Sequence, residues 1–365
     1  MNRYLLLLVV SGCALSIVDD VPAWQIGPFS RPTSEPVIIP NRDSLFRNPI
    51  DGRTVHWEAL HTFNPAAVVR NDKIYMLYRA EDNTGEMRIG LHTSRIGLAE
   101  SGDGIHFHRL PQPVLYPDND SEREREWPGG CEDPRIVESE DGTYVLTYTQ
   151  WNRLQTDTAI ATSRDLIHWT KHGPALGTAG KYAALSYKSA GIVTHVERGR
   201  PIAAKIERKY WMYWGEGEIH LATSTDLVHW KPVEDSDGHL VRVLAKRSGR
   251  FDSSFPETGP PPLLTEKGIV VLYNGKNATE GGDPSLAPGS YAAGEALFAA
   301  DEPAKLLAQT DHPVLQPQSD FERSGQYAAG TTFAEGLVWF RNRWFLYYGC
   351  ADSMVGVAIA DKPSP

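Results

Sequence analysis

Three stretches of this chain repeat one phrase: LAESGDGIHF (98–107), IATSRDLIHW (160–169) and LATSTDLVHW (221–230). Their terminal aromatics, Phe107, Trp169 and Trp230, stand about 61 residues apart. Ser and Asp favour tight turns because their side chains satisfy nearby backbone amides. The apolar residues around them alternate, as in strands. Each phrase therefore reads as a strand, a tight turn and the start of the next strand. His106, His168 and His229 belong to this phrase and read as structural.

Between the phrases lie AAVVRNDKIYMLYRA, PRIVESEDGTYVLTYTQ, KYWMYWGE, PPLLTEKGIVVLYNG and GLVWFRNRWFLYYGC. Most follow one design: an apolar run, a polar turn and an aromatic-rich run, which is a hairpin pattern. They define five units, beginning near Asn64, Glu132, Ser186, Pro256 and Thr331. Helical periodicity is scarce. Repeats of this length with about four strands each indicate an all-β fold, a five-bladed β-propeller, with a β-sandwich as the competing architecture. DNDSEREREW (118–127) and GGDPSLAPGSYAAG (281–294) read as loops within that domain.

The chain has 365 residues and a formal net charge of −10, a balance that argues against nucleic acid or an anionic membrane surface as partner. Ten tryptophans and fifteen tyrosines supply aromatic platforms that suit a neutral, hydroxyl-rich ligand such as a sugar. At the start, MNRYLLLLVVSGC carries an apolar run too short to span a bilayer. Residues 1–13 read as a secretory signal with a lipobox-like end at Cys13. Residues 14–45 then form a tether and N-terminal extension, and 46–365 the catalytic domain. The protein is expected to be exported to a bacterial periplasm or cell surface, with membrane attachment only through a lipid on Cys13. Cys131 and Cys350 read as free, buried thiols.

In a propeller, polar residues near the starts of the innermost strands meet at one mouth of the central channel. Those positions carry Asn64 in FNPAAVV, Arg79 and Asp82 in YRAED, Glu132 and Asp133 in GGCEDPRIV, and Lys188 in YKSAG. They also carry Glu216 between Gly215 and Gly217, Glu257 in FPETGPPP, Glu335 in TTFAEGL and Asp352 in YYGCADS. Taken singly, Glu216, Glu257, Glu335 and Asp352 read more readily as loop acids; their recurrence at equivalent positions is the signal. Glu132 and Asp133 are adjacent, so strand alternation points them to opposite faces. An Asp with a raised pKa would serve as general acid. Neither a metal-ligand spacing nor a nucleotide motif is present, and no cofactor is expected.

FNPAAV, YRAED, GCEDPRIV, ETGPPPL–YNG and YYGCADS together resemble glycoside hydrolase family 130, the β-mannoside phosphorylases and β-mannosidases. The similarity runs from about Asn64 to Asp361. It implies a five-bladed propeller that acts on β-mannoside oligosaccharides. It implies that Asp133 is the catalytic acid, protonating the glycosidic oxygen through a mannose hydroxyl. Asn64, Arg79, Lys188 and Asp352 match positions that contact the sugar. Phosphorylases of the family hold phosphate with a cluster of cations. Here Glu216 and Glu257 stand where negative charge would repel phosphate, and Arg153 sits in a different setting, WNRLQ. The resemblance thus implies a hydrolase releasing mannose, from β-1,2 linkages and with inversion, in which one or both glutamates activate water. A phosphorylase and a non-catalytic mannoside-binding propeller are the alternatives.

Overall fold

A computed structural model describes residues 21–362. The expected signal segment and Cys13 lie outside the described residues. The chain is all-β: among the described residues, helical structure is one turn at Arg123–Glu126 and a 3-10 turn at Asp320–Glu322. Five antiparallel units follow one another. The first three strands of the first are His61–Arg70, Lys73–Glu81 and Ser94–Ser101; of the second, Gly130–Glu138, Tyr144–Trp151 and Thr156–Ser163. The third uses Ala190–Ile192, Lys209–Trp214 and Ile219–Ser224; the fourth, Phe255–Thr258, Gly268–Lys276 and Tyr291–Phe298; the fifth, Thr332–Phe340, Arg343–Cys350 and Met354–Ala360. Successive units touch through short parallel contacts, Ser94 with Gly130 and Tyr291 with Thr331. Among the described residues the hydrogen-bonded strands form four sheets, the largest with 15 strands, and no sheet closes on itself.

The repeated phrases end where the sequence places the turns, and their chemistry is local. Asp165 Oδ1 accepts from the backbone amides of Ile167 and His168, and its Oδ2 lies 2.7 Å from His168 Nδ1. Ser163 Oγ accepts from the amide of Leu166. The same contacts recur at Ser101–Asp103–His106 and Ser224–Asp226–His229. The residue after each Asp has positive φ: Gly104 at 83°, Leu166 at 72° and Leu227 at 68°. A left-handed leucine costs about 1–2 kcal/mol. Both leucines are buried in the core, and burying such a side chain contributes about 1.5–3 kcal/mol, which offsets the strain.

Two expectations need correction. From Val21 onward, the stretch expected to be a tether is laid against the body. Ser30 and Ile38 bridge antiparallel to Ile359 and Val355, giving the fifth unit its outer edge. Ile26 and Phe29 are buried, and the amides of Ile26 and Gly27 bond the Glu295 carboxylate. Capping the edge of the last unit satisfies backbone groups that would otherwise be open to another chain. The stretch 281–294, expected to be a loop throughout, enters a strand at Tyr291, whereas the charged run 118–127 is the expected loop, with one helical turn at Arg123–Glu126. Its Glu126 is fully buried, accepts from Tyr148 Oη at 2.8 Å and pairs with Lys171. Cys131 and Cys350 are free and buried, as expected.

Candidate active site

Within the first unit, Asn64 has φ 46° and the pairing register slips between Phe63 and Pro65. The second unit repeats this, with Asp133 at φ 47° and a slip between Glu132 and Arg135. Ser189, at φ 61°, opens the third unit, and the fifth slips between Ala334 and Gly336. A bulge adds one residue to a strand and re-aims the side chains around it. Left-handed non-glycine residues concentrated in this way mark a functional site. The bulge also overturns the expectation that Glu132 and Asp133 face opposite ways: both reach one cavity.

That cavity, about 310 Å³, is lined by Asn64, Arg79, Glu132, Asp133, Lys188, Glu216, Glu257 and Asp352. These eight of the ten sequence-predicted residues come from all five units. Arg79 organises one side. Its guanidinium lies 2.8 Å from Glu132, 3.1 Å from Asp133 and 2.7 Å from Glu81, and its plane covers Phe63 at 4.6 Å. Asn64 Nδ2 donates to Asp133 Oδ1 at 2.8 Å. Asn64 Oδ1 has no hydrogen-bond partner among the described residues, an acceptor suited to a sugar hydroxyl. Gly349 is required beneath it, because a Cβ there would stand 2.2 Å from Asn64 Oδ1.

On the other side, Lys188 Nζ lies 3.4 Å from Glu216 and 3.6 Å from Glu257. Ser189 Oγ donates to Glu257 at 2.6 Å. Glu257 is 1% exposed, whereas the Glu216 side chain is 38% exposed. Glu257 belongs to a strand, Phe255–Thr258, with a bridge to Glu216. Arg135 ties the two acid-bearing segments together. It donates to the carbonyls of Asp133, Thr258 and Gly259 at 3.0, 2.8 and 3.1 Å.

Two predicted residues do not line the cavity. Glu335 is fully buried and pairs with Arg135 at 2.7 Å, so it supports Arg135 from beneath. Removing one partner from such a buried pair costs about 3–5 kcal/mol. Asp82 points away and accepts from Arg95 Nη1 at 2.7 Å, with both side chains buried. Sequence reasoning missed the aromatic wall of the cavity: Phe63, Trp151, Tyr291, Tyr327 and Phe333. Lys276 Nζ sits over the rings of Phe255, Tyr291 and Tyr327 at 5.3–5.4 Å. It also missed Gln326, which donates to Glu81 and to the Asp352 carbonyl. Tyr291 starts a third strand and Tyr327 lies in a loop, outside the first strands and their partners, where the sequence signal is concentrated.

Burial dominates the titration of the acids. It pushes Glu132 up to about 7, against the pull of Arg79 and with the help of the Asp133 charge. Glu257 also rises to about 7, because burial and Glu216 outweigh Lys188. Asp352 rises to about 6, chiefly by burial. Asp133 differs. Burial raises it, but Arg79, Lys188, Arg135 and the Asn64 hydrogen bond together hold it below the usual Asp value. The raised pKa expected for Asp133 thus belongs to its neighbour Glu132.

These shifts act on stability. Glu132, Glu257 and Asp352 keep protons in the folded state that the unfolded chain sheds near pH 4–4.5, and Glu295, raised by burial to about 7, behaves alike. Where the folded state binds more protons, stability falls as pH rises. The melting temperature should therefore drop between pH 5 and pH 7.5, measured by calorimetry in low salt. A rise across that window would contradict the assignment.

The sequence model of glycoside hydrolase family 130, described as beta-1,4-mannooligosaccharide phosphorylase, matches residues 37–363. A 1,2-beta-oligomannan phosphorylase from a Thermoanaerobacter species is 31% identical over 91% of this chain and 97% of its own length. A solved glycosyl hydrolase from Bacteroides ovatus is 49% identical, with a TM-score of 0.91, over 95% of this chain and 99% of its own. Another solved chain is 51% identical, with a TM-score of 0.91, over 93% of this chain and 95% of its own. It was reported under a description of family members that are glycoside hydrolases targeting beta-1,2 mannosidic linkages in Candida mannan. From this match along the length of the chain, the protein belongs to glycoside hydrolase family 130.

Proposed function

We propose that this protein is an exported glycoside hydrolase that releases mannose from β-mannosides, β-1,2-linked ones foremost, with inversion at the anomeric carbon. The observation that carries the reading is the charge of the cavity. Two cations line it, Arg79 and Lys188, against five carboxylates: Glu132, Asp133, Glu216, Glu257 and Asp352. Each cation is already engaged by carboxylates within 4 Å. A phosphate dianion entering a partly dry pocket needs unspent cations. Water needs only an acceptor for its proton, and Glu257 with Glu216 offers two.

Asp133 is the acid in this reading, acting through a sugar hydroxyl, and Glu257 with Glu216 polarises the attacking water. The 49–51% identity to solved chains described as glycosyl or glycoside hydrolases favours hydrolysis. Export, read from residues 1–13, agrees with it, since a sugar phosphate is useful only inside the cell. We read the five units as five blades of a propeller. Their recurrent bulges, each near the start of a first strand, support that architecture, as do the parallel contacts between neighbours.

The curated relatives favour a second reading, phosphorolysis, because the 31%-identical Thermoanaerobacter protein is a phosphorylase. Incubating the enzyme with β-1,2-mannobiose, with and without phosphate, separates the two. Free mannose at a rate independent of phosphate is expected. Phosphate-dependent formation of mannose 1-phosphate would replace the first reading with the second.

A further inference from the structure

The hairpins that bring Asn64 and Glu335 to their bulges have their tips at the other end of the same strands. Asn64 and Asn71 are separated by seven residues along one hairpin arm, roughly 20 Å of strand. Three such tips meet there: Asn71–Asp72, Arg198–Gly199 and Arg341–Asn342. They enclose a cavity of about 400 Å³ that shares no residue with the site described above. Four arginines line it: Arg70, Arg198, Arg200 and Arg341. Asp72 is the one carboxylate among the described residues of its wall. In a chain of net charge −10, so concentrated a positive site is out of keeping with the whole.

Two of the four guanidiniums, Arg70 and Arg198, form no ion pair among the described residues, and a third, Arg341, is only loosely held. Arg70 donates to a neutral carbonyl, that of Asp165, at 2.9 Å. Arg341 stands 3.9 Å from Asp72 across an exposed gap, too far for a hydrogen bond. Arg198 is exposed and forms no ion pair among the described residues. Arg200 alone is committed, to Glu138 beneath it.

The backbone makes the choice of arginine more informative. All three tips are two-residue turns with positive φ: 50° and 56° at Asn71 and Asp72, 52° and 82° at Arg198 and Gly199, and 48° and 63° at Arg341 and Asn342. Such turns favour Asn, Asp and Gly, and the first tip obeys that rule. The other two put arginine at a strained position where asparagine would relieve the backbone. Gly199 packs so closely that a Cβ would lie 2.7 Å from the Trp339 carbonyl, which draws the second and third tips together. The half-buried Trp339 adds an apolar wall.

We propose that this arginine-lined cavity binds a phosphate group, carried on a sugar, on a lipid headgroup or free in solution. Guanidinium groups pair with phosphate through two parallel hydrogen bonds, and more than one can share a single phosphate. The site is separate from the β-mannoside cavity, so its occupant does not take part in bond cleavage.

The test uses the whole protein with three probes: inorganic phosphate, mannose 6-phosphate, and vesicles of phosphatidylglycerol against vesicles of phosphatidylcholine. Binding of the soluble probes is measured by calorimetry at low and high salt, and of vesicles by co-sedimentation. At least one probe should bind saturably and weaken with salt. The double variant Arg198→Asn/Arg341→Asn should bind it at least tenfold more weakly. Asparagine suits both turn positions, so that variant should fold as well as the parent and hydrolyse β-1,2-mannobiose at an unchanged rate. Which probe binds identifies the carrier of the phosphate. Failure of all three to bind, or binding that the double variant leaves unchanged, overturns the proposal.

Discussion

Asp133→Asn should lower kcat by about 10²–10⁴-fold, the range that a positioned proton donor supplies, while the protein stays folded. The substitution is nearly isosteric, and Arg79 keeps Glu81 as a counter-charge at 2.7 Å and Glu132 as a partner at 2.8 Å, so the cluster survives. KM for β-1,2-mannobiose should move far less than kcat, since Asn64, Arg79 and Asp352 still line the pocket. The protonation pattern adds a second readout. In the free enzyme Asp133 is the charged member of the pair and Glu132 the protonated one, because Arg79, Lys188 and Arg135 hold Asp133 low while burial lifts Glu132 to about 7. The two share Arg79, so they titrate as a unit, and the proton that Asp133 delivers is the one the pair carries. Activity should fall above pH 7 as that unit loses its proton. Wild-type kcat in the Asp133→Asn enzyme would end the assignment.

Glu257→Gln should reduce kcat by a similar 10²–10⁴-fold, and by more than Glu216→Gln. Both acids lie near Lys188, but their surroundings differ. Glu257 is buried, accepts a 2.6 Å hydrogen bond from Ser189 and has its pKa lifted to about 7, which matches a base working near neutrality. Glu216, with 38% of its side chain exposed, keeps much of its contact with solvent. A base must be ionised, so in the wild type kcat/KM should fall as pH drops below 7, and Glu257→Gln should lose that limb. With the alkaline limb from the acid side, the profile should be a narrow bell around pH 7. Near-parental rates in both variants would mean that neither glutamate handles the water.

Much of the fold was legible because its signals are local. The Ser–Asp–His phrase closes on its own backbone, so it announces its turn wherever it stands. The site residues were legible where they sit at the starts of first strands, as Asn64, Asp133 and Glu257 do. What escaped depends on three-dimensional detail. The orientations of Glu132 and Asp133 hang on one bulge, and a one-residue slip reverses side-chain alternation. Glu335 looks like a site acid in TTFAEGL, but only the position of Arg135 reveals it as a buried counter-ion. Residues 21–45 have no strand-like alternation, so nothing in their composition foretold the edge they supply to the fifth unit.

Arg135 has a consequence for stereochemistry. In glycosidases the gap between the two working carboxyls decides whether water fits between base and sugar, and hence whether configuration is inverted or kept. Here the segments that carry the proposed acid and base come from different units, and one guanidinium grips the backbone of both. Arg135 thus works as a pair of calipers. Loosening it would change the span before it removed either carboxyl, and with the span the handedness of the product.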